Sequence, residues 1–83
     1  MDTLPLSKKI KDKIERHHLQ KKFKKQIKLF KLDPKHPSLN VELLEPKEYG
    51  VYSFRIDRKY RGLFIYRLDR QAIEILTITV HYQ

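Results

Sequence analysis

The spacing of apolar residues divides the chain into two parts with different periods. Leu6, Ile10 and Ile14 recur every four residues, a stripe that drifts by only about 40° per step on a helix of 3.6 residues per turn. Ser7 or Thr3 can cap its start, and Pro5 is tolerated in a first turn. The stripe then loses phase, because Leu19 lies five residues beyond Ile14 with Arg16-His17-His18 between them. A second stripe begins there, Leu19, Phe23, Ile27 and Phe30, on a lysine-rich background. Two helices joined near residues 16–18 account for the break better than one bent rod. Asp33-Pro34 and His36-Pro37 stop the second helix, since proline lacks the N–H and disfavours helical geometry in the residue before it.

Beyond Pro37 the period drops from 3.6 to 2. Residues 39–44 are weakly strand-like, and Glu45-Pro46 followed by Glu48-Tyr49-Gly50 reads as loop. Residues 51–56 alternate Tyr52, Phe54 and Ile56 against Ser53 and Arg55, the pattern of a half-buried strand. Residues 60–67 and 73–80 form two further strands, rich in Ile, Thr, Tyr and Phe. The links at 57–59 and 68–71 are short, which predicts an antiparallel meander. The expected fold class is α+β, an N-terminal helical hairpin packed on one face of a small antiparallel β-sheet.

A chain of 83 residues suits one small domain, here 1–83, helical over about 5–32 and sheet over about 39–82. Its 40% apolar content is enough for a core. Cysteine is absent, which excludes disulfides and thiolate chemistry and suits a reducing, cytoplasmic setting. No apolar run is long enough to span a membrane, and none follows the basic N-terminus as a secretory leader requires. Charge alters the picture more. Of the net +9, residues 1–31 carry 11 Lys or Arg against 3 Asp or Glu, and the remainder carries 8 against 7. So lopsided an excess on two helices is large for solubility alone and points to phosphate contacts or an acidic partner.

No phosphate loop, zinc-ligand spacing, dinucleotide fingerprint or nucleophile elbow is present, so no cofactor or metal is expected. His17 and His18 are neighbours on a helix and diverge by about 100°, which suits an exposed junction better than a metal site. Arg55 and Arg61 are more informative. If residues 57–59 form the connection, Ile56 pairs with Tyr60 and Arg55 faces Arg61, with Cβ atoms about 4.5–5.5 Å apart. Two guanidiniums so close repel unless an anion lies between them, and a phosphate matches their fork. The alternatives are an Arg55 that pairs with Asp57 or Glu42, or a two-residue turn that sends the arginines to opposite faces. After the last strand comes His81-Tyr82. In the bland reading Tyr82 closes the core and His81 is merely exposed. A histidine titrates near about 6.5, however, so at the rim of such a sheet it can serve the proton transfers of phosphodiester cleavage.

Taken in order, these residues resemble a known family. Asp33-Pro34-Lys35-His36-Pro37-Ser38-Leu39, then Gly50-Val51-Tyr52-Ser53-Phe54-Arg55-Ile56, then Tyr60-Arg61 and the closing His81-Tyr82 resemble the RelE/ParE superfamily of toxin–antitoxin toxins. The likeness runs from about Leu6 to the end of the chain. The His-Tyr pair is most similar to the RelE/YoeB mRNA-interferase branch, whereas the gyrase-poisoning ParE branch is not known for it. The resemblance implies a RelE-like microbial RNase fold and a metal-independent, ribosome-dependent endoribonuclease that cleaves mRNA. It also implies a cognate antitoxin that silences the toxin in a hetero-oligomer.

The resemblance assigns roles to residues as well. A carboxylate upstream of the glycine is the general base: Glu42 by counting back from Gly50 without gaps, or Glu45 or Glu48 if the loop slips. Arg61 stabilises the phosphorane, Arg55 helps hold the phosphate, and His81 is the general acid. Tyr82 stacks on a base or orients the scissile phosphate. Lys21, Lys22, Lys24, Lys25 and Lys28, with Lys47, Arg58 and Lys59, are the expected contacts to RNA and ribosome. Relatives open with an edge strand, for which Asp2-Thr3-Leu4 leaves little room before Pro5. Two other readings stay open: a ParE-like or otherwise non-cleaving toxin acting on a protein such as gyrase, and a non-enzymatic basic module that binds RNA or the ribosome. Under the nuclease reading, Glu42, Arg55, Arg61 and His81 converge in one shallow basic cleft on the face away from the helices.

Overall fold

A computed structural model describes residues 2–80 of the chain. The elements are β1 (Asp2–Thr3), α1 (Lys8–Arg16), α2 (Gln20–Leu32), β2 (Glu42–Leu43), β3 (Tyr52–Arg55), β4 (Tyr60–Arg67) and β5 (Ala72–Val80). Short 3-10 turns occupy Pro37–Leu39, Lys47–Tyr49 and Leu68–Arg70. The strands make one five-stranded sheet in the order β1-β5-β4-β3-β2, and both helices cover one face of it.

Ser7 caps α1, its Oγ accepting from the Ile10 N–H at 3.3 Å, while Thr3 belongs to β1. The phase break between the apolar stripes is a Schellman closure: Leu19 N–H donates to the Ile14 carbonyl at 2.9 Å and His18 N–H to that of Glu15 at 3.1 Å. His18 takes the left-handed conformation such a closure demands, with φ 56°, in a place where glycine is usual. The turn sends Leu19 into the same core as Ile10 and Ile14. In α2 the buried row is Phe23, Gln26 and Phe30, and Ile27 only flanks it.

Phe30, Phe54 and Phe64 are fully buried at the centre of the core. Phe30 meets Phe64 edge-on, with ring centroids 5.4 Å apart, and its contact with Phe54 is 6.2 Å. Truncating any of these rings to alanine removes about 3–5 kcal/mol. Phe54 lies across the ladder from Gly62. A Cβ at residue 62 would sit 2.7 Å from Phe54 Cζ and closer still to Cε1, so glycine is what lets the ring lie flat over β4.

The sheet differs from a pure antiparallel meander at its first edge. β1 runs parallel to β5, pairing Asp2 with Ala72 and Thr3 with Ile73, and the Leu4 N–H donates to the Ile73 carbonyl at 2.9 Å. Pro5 has no N–H to extend this ladder, which explains why β1 is so short. The 39–44 segment is also broken: a 3-10 turn buries Leu39, and only Glu42–Leu43 pairs with β3. Between β4 and β5 the register shifts at Leu63/Phe64, leaving Leu76 without an opposite residue.

Candidate active site

Alternation along β3 and β4 places Phe54, Gly62 and Phe64 under the helices and Ser53, Arg55, Arg61 and Leu63 on the opposite, open face. Arg55 pairs with Arg61 in this register. The connection that sets it is built around Asp57. Its Oδ1 accepts from the backbone N–H groups of Lys59 at 2.8 Å and Tyr60 at 2.7 Å, and Ile56 N–H donates to the Tyr60 carbonyl at 3.0 Å. The other carboxylate oxygen lies 3.3 Å from Lys22 Nζ, which ties the turn to α2. Burial alone would raise the Asp57 carboxyl; the Tyr60 and Lys59 N–H groups and Lys22 outweigh it and hold the group below its ordinary value. Asp57 is therefore committed to the turn and does not pair with Arg55.

The two arginines occupy different environments. Arg61 is buried, 5% exposed, and its Nη1 donates to the Asn40 carbonyl at 3.1 Å and to Ser53 Oγ at 3.3 Å. A buried guanidinium is tolerated when its fork of donors finds acceptors of this kind. Asn40 supplies its carbonyl from a left-handed conformation, φ 46°, at the end of the Pro37–Leu39 turn. The preceding residues build that turn. Asp33 Oδ1 accepts from Lys35 N–H at 3.1 Å, His36 Nδ1 accepts from Ser38 N–H at 3.1 Å, and Leu39 plugs into the core. The run from Asp33 to Leu39 thus has a structural purpose, the delivery of an acceptor to Arg61. Arg55 is exposed.

On the open face a shallow cleft of about 270 Å³ is walled by Glu42, Leu44, Ser53, Arg61, Leu63, Thr79 and Val80. Glu42 and Arg61 therefore meet in one cleft, Glu42 standing opposite Ser53 in the β2–β3 pair. Arg55 shares the face and opposes Arg61 without being a wall. Glu45 and Glu48 are exposed in the β2–β3 connection and line no part of the cleft. His81 and Tyr82 lie outside the described residues; β5 reaches the cleft at Val80.

The expected RNA-contacting cations are scattered around the molecule. Lys21, Lys24, Lys25 and Lys28 are exposed on α2, on the helical side of the sheet and away from the cleft. Lys22 is held by Asp57. Lys47 is exposed on the Lys47–Tyr49 turn, and Arg58 and Lys59 are exposed between β3 and β4, with Lys59 Nζ 5.5 Å above the Tyr60 ring. His17 turns toward Tyr60, with Nδ1 3.1 Å from the hydroxyl, while His18 is exposed. Among the described residues no three His, Asp or Glu side chains gather as a metal would need. No helix among them is long and apolar enough to cross a membrane.

Two residues that matter here escaped the pattern of the sequence. Asn40 gave no signal beyond following the proline turn. Gln26 had one: it stands three residues after Phe23 and four before Phe30, in phase with the buried row.

The helical pair over one face of a short five-stranded sheet, with a cleft walled by Glu42 and Arg61 on the other, makes an α+β fold. A solved YoeB/ParE toxin from Agrobacterium tumefaciens shares it, with a TM-score of 0.70 at 20% identity over 99% of this chain and 100% of that one. At that identity the likeness is one of fold. No protein-family model matches the sequence, and no curated protein matches it.

Proposed function

We propose that the chain is the toxin of a toxin–antitoxin pair and acts as a metal-independent, ribosome-dependent endoribonuclease on mRNA. The observation that carries this reading is the opposition of Arg55 and Arg61 across β3 and β4, on the face where Glu42 and Arg61 wall a cleft. In the proposed reaction Glu42 takes the proton of a ribose 2′-hydroxyl as the oxygen attacks the adjacent phosphorus. The 2′-O–P bond forms while the bond to the 5′-oxygen breaks, leaving a cyclic phosphate. Arg61, already held by the Asn40 carbonyl and Ser53 Oγ, faces the charge that builds on the phosphorane, and Arg55 binds the same phosphate from the solvent side. His81 protonates the departing 5′-oxygen and Tyr82 orients the linkage. The α2 lysines meet ribosomal RNA, and an acidic antitoxin neutralises the basic surface in the silenced complex.

The test is induction of the wild-type chain and of a His81→Ala/Tyr82→Phe variant, with primer extension on mRNA and an assay on translating ribosomes. Translation-dependent cut ends that vanish in the variant, with antitoxin binding retained, are expected. Transcripts that stay whole in the presence of purified wild-type protein and translating ribosomes overturn the reading. A ParE-like toxin, the alternative that the same fold accommodates, keeps its toxicity in the variant and induces DNA damage. A basic RNA-binding module shows salt-dependent affinity without cut ends.

A further inference from the structure

Gln26 is 7% exposed in the middle of an otherwise aromatic row, between Phe23 and Phe30. A polar side chain in such a place needs partners, and its choice of partners is informative. Gln26 Nε2 donates one hydrogen to the carbonyl of Arg55 at 2.8 Å and the other to the carbonyl of Ser38 at 3.1 Å. The first acceptor belongs to the backbone of the exposed arginine itself. The second belongs to the turn whose next carbonyl but one, that of Asn40, accepts from Arg61 at 3.1 Å. That turn is tight, with Leu39 N–H on the His36 carbonyl and Asn40 N–H on the Pro37 carbonyl, each at 3.0 Å. Fixing Ser38 therefore fixes Asn40.

We propose that Gln26 is the positioning residue for the guanidinium pair: from the helical side of the sheet, one NH2 group sets the backbone that carries Arg55 and the acceptor that orients Arg61. This rests on the reading of Arg55 and Arg61 as the phosphate-binding groups. The chemistry restricts what can stand here. Two carbonyls converging on one atom call for an uncharged group with two N–H bonds, which among side chains is a carboxamide. A thioether leaves both carbonyls without a donor, and a carboxylate turns acceptors toward acceptors. Either lets β3 and the Pro37–Leu39 turn relax apart, and a guanidinium displaced by about 1 Å loses far more of its transition-state contact than of its ground-state contact.

The experiment uses the full chain with Gln26→Met and Gln26→Glu, at a temperature where circular dichroism shows each to be folded. Ile10→Val, a core change in α1, serves as the control for loosened packing. Cleavage on translating ribosomes is expected to show kcat lower by about tenfold for Gln26→Met, with KM within about twofold, and near wild type for Ile10→Val. In an Arg55→Ala background the same Gln26 change is expected to cost less than about threefold, because part of what it positions is gone. The Nε–Hε NMR signals of Arg55 and Arg61 should shift in Gln26→Met. Unchanged kcat in a folded variant, equal losses in both backgrounds, or unmoved arginine signals overturn the proposal. Should neither variant fold, Gln26→Asn, which shortens the same carboxamide, is read by the same measures. If wild type cleaves no mRNA, the nuclease reading fails separately. The Nε–Hε signals of Arg55 and Arg61 in the free protein then decide the role of Gln26: shifted in Gln26→Met they support it, and unmoved they overturn it.

Discussion

Arg55 and Arg61 stand directly opposite each other across β3 and β4, yet one guanidinium is open to solvent and the other is buried, donating to the Asn40 carbonyl and Ser53 Oγ. The buried member is held in advance of any ligand, and the exposed member keeps its rotamer freedom. Their substitutions should therefore differ in kind. Arg61→Ala strips donors from the Asn40 carbonyl and Ser53 Oγ and should cost about 1–3 kcal/mol of stability, along with about 10²–10³-fold in the proposed cleavage. Arg55→Ala should leave stability within about 0.5 kcal/mol while lowering kcat/KM. Urea unfolding beside cleavage assays separates the two, and an Arg55 variant that unfolds more easily than the Arg61 variant contradicts the assignment.

Asp57 gives the fold a pH dependence of known sign. Burial pushes its carboxyl up, but the Tyr60 and Lys59 N–H groups and Lys22 bring it below the ordinary value of 3.8. A carboxyl depressed in the folded chain contributes stability that is fully present above the unfolded value and is lost as pH falls through the folded one. Asp57→Asn keeps an acceptor for the turn but loses the charge. It should be less stable by about 0.5–1 kcal/mol at neutral pH, and the difference should close as the solution is acidified below about pH 4. Urea midpoints measured between neutral and acid pH check this; curves that stay parallel throughout would refute it.

His18 occupies a left-handed residue position at the end of α1, φ 56°, where a side chain is strained. Its ring is exposed, so little packing is lost on removing it. His18→Gly relieves the strain at the expense of a freer unfolded chain and should stabilise by about 0.5–1 kcal/mol. Thermal unfolding gives the answer, a lower melting temperature being the adverse outcome.

The exposed α2 lysines should act through phosphates. Replacing Lys21, Lys24, Lys25 and Lys28 by glutamine should weaken ribosome association and flatten its dependence on log salt by about one unit for each lysine that contacts a phosphate. Stability should change little, since all four are exposed. A salt slope identical to wild type would mean that these lysines are only solvated.

The periods of the sequence located both helices, because Ile10, Ile14, Leu19, Phe23 and Phe30 are the residues that the sheet buries. They also located the three long strands, and the Arg55–Arg61 opposition, expected only if residues 57–59 form the connection, is the register that β3 and β4 adopt. What the pattern missed has a common cause. β1 is two residues long, too short to display a period, and is held by a strand at the far end of the chain, while β2 is only the Glu42–Leu43 part of the weakly strand-like stretch 39–44. Gln26 and Asn40 are polar residues whose importance lies in a backbone carbonyl brought near by folding, and no local propensity records such an encounter. The choice among Glu42, Glu45 and Glu48 was open for the same reason. Only the β2–β3 pairing separates Glu42, which walls the cleft, from the other two, which do not.

The layering of helices over one side of the sheet has a geometric corollary. The α2 lysines and the exposed Arg55 lie on opposing sides of a body measuring 30 × 28 × 25 Å. A loose strand of nucleic acid resting on either side leaves the other bare. If both sides meet phosphates, as the proposed function requires, the molecule must be wedged into a crevice with anionic walls in front and behind, and the size of that host, more than the length of a single strand, sets how tightly it is gripped.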